Sequence, residues 1–137
     1  MYRIAFLVVA LAAFLPIGAV FDASPAKASS FTASDIRSQI IGRTIYLAAP
    51  FGGEFPLNYR QSGQVDGDGE ASGFAARMAQ PKDRGRWWID GNQLCQQFQT
   101  WYNGRPMCFD LTRTGSDTLR WVRDNGQTGR ARIGGSL

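Results

Sequence analysis

A chain of 137 residues is one domain's worth of polypeptide. It carries 15 Lys and Arg against 11 Asp and Glu, two Cys and no His. That excludes Ser-His-Asp and Cys-His nucleophile systems, His-ligated zinc or haem, and four-thiolate metal centres. With 19% charged and 44% hydrophobic residues it is neither a charge-rich disordered chain nor a coiled coil.

The N-terminal segment reads as an address. Met1-Tyr2-Arg3 gives a short positive start, 4–20 is apolar and broken only by Pro16, and Ala26-Lys27-Ala28 is a small-x-small cleavage site. This is the pattern of a secretory signal peptide over 1–28, leaving 29–137 as a single periplasmic or secreted domain. The competing reading is an uncleaved anchor, because an apolar run of about 17 residues reaches the lower end of spanning length. Pro16 and the cleavage site favour removal, which leaves no stable membrane span. Losing Arg3, Lys27 and Asp22 lowers the net charge from +4 to +3 and leaves Lys82 as the only lysine. An exported domain rarely meets nucleic acid, so the basic balance points to anionic envelope material or small anions.

The spacing then predicts one short helix over 31–42. Ser34 is a candidate N-cap, Asp35 suits the first turn, Ile36, Ile40 and Ile41 share a face, and Gly42 is a stop. After it, β-branched and aromatic residues recur between Gly, Asp, Asn and Pro punctuation. About eight strands are expected by that pattern, near 43–49, 55–61, 70–79, 84–90, 93–100, 106–113, 117–124 and 127–133. Alternation supports them: Ile45, Leu47 and Ala49; Phe74, Ala76 and Met78; Met107, Phe109 and Leu111; Leu119 and Trp121. Short connections make the strands antiparallel. The fold class is mainly β, a small barrel-like meander or a sandwich with one short N-terminal helix.

Two hairpins can be taken to register. In the last one, a three-residue loop Asn125-Gly126-Gln127 pairs Trp121 with Ala131 and Leu119 with Ile133. It also sets Arg120 opposite Arg132 on the outer face. In the hairpin before it, Leu94 and Phe98 mark one inner face and Met107, Phe109 and Leu111 the other. Cys95 and Cys108 then both fall outside, and a loop around Trp101 and Tyr102 sets them opposite each other. Export makes a Cys95–Cys108 disulfide the expectation, worth on the order of 3 kcal/mol. A redox site would call for C-x-x-C, which is not the spacing here.

Three constellations could carry chemistry. Asp66-Gly67-Asp68-Gly69-Glu70 alternates carboxylates as calcium loops do, but Ala71 and Arg77 stand where such a loop needs Gly and Glu. An acidic hairpin turn is the plainer reading, and no metal or cofactor is expected. In Trp87-Trp88, parity with Ile89 turns Trp87 inward and Trp88 outward. With Trp101 and Tyr102 at a hairpin tip, Trp88 could stack on a sugar or seat a protein; burial under a helix or loop is the bland alternative. The C-terminal arginines include Arg120 and Arg132, whose planar forks suit carboxylate or phosphate. An ordinary solvated face with local Asp pairs is the alternative. No spacing singles out a catalytic carboxylate pair among Glu54, Glu70, Asp90 and Asp110, so no enzyme is expected.

From 36 to 133 the chain resembles a family of small exported bacterial proteins classed as a domain of unknown function. The resemblance lies in Ile40-Ile41-Gly42-Arg43-Thr44, Gly85-Arg86-Trp87, Asp90-Gly91, Leu94-Cys95, Cys108-Phe109 and Asp124-Asn125-Gly126. It implies a periplasmic β-domain with one disulfide and brings no catalytic residues. The expectation is a non-catalytic domain binding an envelope glycan, an anionic surface or an envelope protein through Trp88, Trp101, Tyr102, Arg120 and Arg132. The alternatives are a lipocalin-like carrier of small molecules and a carboxylate-based glycan hydrolase.

Overall fold

In a computed structural model of the chain, the structure describes residues 28–49, 52–70 and 80–137. The signal segment up to residue 27, and the alternation of Phe74, Ala76 and Met78, lie outside the described residues. The elements in chain order are β1 (Ser29–Ser30), α1 (Ala33–Gln39), β2 (Arg43–Ala48), β3 (Glu54–Tyr59) and β4 (Gln64–Asp68). There follow β5 (Lys82–Asp90), β6 (Gln93–Phe98), a 3-10 turn (Trp101–Gly104), β7 (Met107–Arg113), β8 (Thr118–Arg123) and β9 (Thr128–Ser136).

The helix is capped two residues before the expected position. Thr32, not Ser34, is the N-cap: its hydroxyl accepts from the Asp35 N–H, and the Asp35 carboxylate accepts from the Thr32 N–H at 2.8 Å. Thr32 wins because it sits three residues before Asp35, the spacing of a reciprocal capping box. Ile36 and Ile40 are fully buried, and Gly42 ends the element at φ +82°.

Strands β2 to β9 form a closed antiparallel barrel. The order runs β7-β6-β5-β4-β3-β2-β9-β8, and β8 returns to β7. The extra strand, β1, pairs with Thr112 and Arg113 of β7. Closure settles the choice between barrel and sandwich, and it removes every free edge among these eight strands. Period-2 alternation turns one face of each strand inward. The ring of pairs Ile133↔Ile45↔Leu57↔Gly67 and Leu94↔Phe109 lies on that face. Helix α1 packs near β5 and β6. Ile40 caps the interior with Ile45, Tyr59, Leu94, Leu111 and Leu119 around it.

Two expectations of the sequence are corrected here. Asp66-Gly67-Asp68 is strand, part of β4 over 64–68, and not a turn; the strand expected over 70–79 lies, apart from Glu70, outside the described residues. Gly67 faces inward, where an added Cβ would lie 2.5 Å from the Trp101 ring; the glycine is there for space. Asp66 and Asp68 face outward, Asp66 paired with Arg60 at 2.7 Å and Asp68 with Lys82 at 3.5 Å. Lys82 also holds Glu70 at 2.9 Å.

The last hairpin has a three-residue loop, but over 124–126. The Arg123 N–H donates to the Gln127 carbonyl at 2.7 Å, and Gly126 takes φ +86°. Register therefore moves by two: Trp121 faces Gly129, Leu119 faces Ala131, and Arg120 faces Arg130, not Arg132. Inner and outer faces survive a shift of two. The partners change because the Trp121 indole needs a glycine beneath it; a Cβ on Gly129 would sit 2.2 Å from its ring.

The Cys95–Cys108 disulfide is present, with the two residues directly opposite across β6 and β7. Among the described residues, no helix is long and apolar enough to cross a membrane.

Candidate functional site: the barrel interior and its mouth

Away from the helix the interior opens into a cleft of about 730 Å³. Its walls are mainly apolar: Leu47, Phe55, Leu57, Phe98, Met107 and Phe109, with Trp101 and Trp121. Tyr102, Arg123, Gln127, Thr128 and Arg130 also line it. No Asp or Glu appears among these described lining residues. Gln96, Phe109 and Trp121 border both this cleft and a void of about 30 Å³ above Ile40, so they divide the cleft from the packed end.

The two tryptophans that line the cleft owe their places to glycines. Trp101 lies over Gly67 and packs on Phe98 (ring centres 4.9 Å) and Phe55 (5.2 Å). Its indole N–H donates to the Gln80 carbonyl at 2.7 Å. The turn carrying it is pinned by Asp83, whose Oδ2 accepts from the N–H groups of Thr100 and Trp101, each at 2.8 Å. Partial burial works to raise the Asp83 carboxyl. Those N–H groups and that of Arg84 outweigh it and hold the carboxyl below the usual carboxylate range. Trp121 lies over Gly129 and meets Phe109 edge-on at 5.6 Å.

The polar groups inside are mostly donors. Gln96 is only 3% exposed. Its Oε1 accepts from the Tyr59 hydroxyl at 2.6 Å. Burial pushes the Tyr59 phenol well up, with Tyr102 adding to the effect, so Tyr59 stays a neutral donor. The Trp121 indole N–H and the Arg123 Nε are buried without a hydrogen-bond partner among the described residues. Arg123 Nη1 donates to Gln127 Oε1 at 3.2 Å, and its guanidinium lies 5.4 Å from the Tyr102 ring centre. Its Nε is 3.6 Å from Asp124 Oδ1, an ion pair without a hydrogen bond.

The residues expected to form a binding surface do not form a single surface: Arg120 and Arg132 line one groove on the outer wall, Trp101 and Tyr102 share a turn at the mouth, and Trp88 stands apart. Trp101 faces the cleft rather than solvent, since its ring fits over Gly67. Tyr102 is 53% exposed at the mouth. Trp88 is on the outer wall opposite Cys95, half-buried, with the Arg86 guanidinium 5.1 Å above its ring. Arg120 is exposed on β8. Arg132 is held by a bidentate pair with Glu54, at 2.9 and 2.6 Å, and stacks 4.3 Å over Tyr46. Sequence reasoning missed Gln96, and it took Arg123 only as one of the C-terminal arginines, not as a residue of the interior. Parity carried the signal: Gln96 falls between inward Leu94 and Phe98, and Arg123 is two residues beyond inward Trp121.

Comparison with family models, with curated proteins and with solved structures finds no match to this chain.

Proposed function

We propose that this chain is a non-catalytic, exported binding protein that holds a small, largely apolar molecule inside its barrel. The observation that carries the reading is the cleft of about 730 Å³, walled by apolar and aromatic side chains and shut at one end by α1. Cavities of that size with a few convergent polar groups suit small ligands. A surface-binding role through Trp88, Trp101, Tyr102, Arg120 and Arg132 has less support, because those side chains are spread over the mouth and two separate parts of the outer wall. An envelope component remains the natural source of the ligand, as an extractable apolar molecule rather than a polymer surface. Binding is favoured over hydrolysis because the nearby carboxylates are engaged elsewhere, Glu54 by Arg132 and Asp83 by the backbone of the Trp101 turn.

The test is titration of the oxidised protein with N-phenyl-1-naphthylamine, a neutral apolar fluorophore. Saturable binding that quenches tryptophan emission is expected, and Leu47→Trp, which fills the cleft, reduces it. Absence of saturable binding, or a folded Leu47→Trp protein that binds as well as the native one, overturns the reading.

A further inference from the structure

We infer that the ligand of this cleft is an anionic amphiphile, with a carboxylate or phosphate head received by Trp121 and Arg123 and an apolar body against the β2 and β3 walls. The inference rests on the cleft being a ligand site and adds the chemistry of its occupant.

Three observations support it. Two donors on cleft-lining residues, the Trp121 indole N–H and the Arg123 Nε, have no hydrogen-bond partner among the described residues. Buried donors left unmade are costly, so a site that keeps them gains most from a molecule bringing acceptor oxygens. Charge points the same way. Arg123 and Arg130 line the cleft and no described lining residue is acidic. The Asp124 carboxylate lies 3.6 Å from the Arg123 Nε as an ion pair without a hydrogen bond, so no acceptor among the described residues satisfies that donor. Finally, polarity is segregated. The β2 and β3 walls contribute Leu47, Ala48, Ala49, Phe55 and Leu57, whereas Trp121 and Arg123 stand two residues apart on β8. A molecule with one charged end and an apolar remainder matches that division. The planar guanidinium of Arg123 suits the two oxygens of a carboxylate or phosphate head.

The experiment uses protein purified from an oxidising compartment and calorimetric titration below micelle concentration. The probes are decanoate, decyl phosphate, decanol, decyltrimethylammonium and inorganic phosphate. Decanoate or decyl phosphate is expected to bind at least about tenfold more tightly than decanol, with the cation weaker still. Which anion binds better separates a fatty-acid source from a phosphate-headed one. Arg123→Gln and Trp121→Phe are each expected to bring the ratio of anion to decanol affinity down toward one. Equal binding of anion, alcohol and cation overturns the anionic head but leaves the cleft as a ligand site. Inorganic phosphate binding as tightly as decyl phosphate overturns the apolar body. Failure of every decyl probe overturns the cleft reading itself. If a folded Arg123→Gln and a folded Trp121→Phe both keep the native preference for anions, the assigned head-group site is wrong.

Discussion

The indole of Trp121 lies over Gly129, its direct partner across β8 and β9, so closely that a Cβ at residue 129 would fall 2.2 Å from the ring. The missing side chain is the seat of the tryptophan, and the tryptophan is part of the wall of the cleft. Gly129→Ala therefore has to displace the ring toward the cleft. A loss of about 1–3 kcal/mol is expected, as for an extra methyl forced into a packed interior. Urea unfolding measures it, and the same protein binds N-phenyl-1-naphthylamine more weakly. A Gly129→Ala variant as stable as the native chain contradicts this seating.

The Cys95–Cys108 bond closes a loop with a sequence separation of 13 on the outer face of the barrel. Replacing both cysteines with alanine is expected to lower stability by about 3 kcal/mol. Cleft binding is retained well below the lowered melting temperature, because the bond lies on the far side of the wall. Denaturant curves with and without reductant on the native protein, set against the double variant, check the first statement, and titration of the double variant with N-phenyl-1-naphthylamine checks the second.

Asp83 gives the Trp101 turn an acid limit. Its folded pKa is lowered, so the unfolded chain binds the proton more readily. The stabilisation is in full force above the unfolded value of about 4. It is lost as pH falls through the lower folded value. Asp83→Asn is expected to cost about 1 kcal/mol at neutral pH. The gap from the native protein narrows below about pH 4. Melting temperature against pH for the two proteins tests this; a constant gap down to pH 2 refutes it.

Arg120 and Arg130 are exposed and face each other across β8 and β9, with no ion pair for either among the described residues. Like charges directly opposed oppose folding. Arg120→Glu is thus expected to stabilise by about 0.2–1 kcal/mol, and the gain fades as salt screens the pair. Thermal melts at low and high salt read it out, and a destabilised Arg120→Glu protein removes the argument.

How far the chain announced this fold depends on which signal was available. Helical spacing placed Ile36 and Ile40 inward, and period-2 parity separated inner Trp87 from outer Trp88 and set both cysteines outside. Loops were harder. Asp66-Gly67 carries the chemistry of a turn, and only its partner across the barrel, the Trp101 ring, explains a glycine in mid-strand there. Asn125-Gly126 admits loops that differ by one residue, and parity cannot choose between registers two apart. The cleft was the least legible feature. Inward Leu, Phe and Trp give the same alternating pattern whether the interior they line is packed or hollow, and the volume depends on how eight strands close. Gln96 and Arg123 were nonetheless visible as polar residues at inward parity.

The pairing of β2 with β9 joins residues such as Ile45 and Ile133, near opposite ends of the described chain. Neighbouring hairpins can form locally, but the ring has no seal until its last strand arrives. A chain delivered N-terminus first through a narrow pore would therefore emerge as hairpins with an open seam between β2 and β8. It would become a container only after 128–136 had followed. Late sealing keeps such a chain threadable for as long as threading lasts, and it makes β9 the segment whose loss should leave the other strands with nothing to close upon.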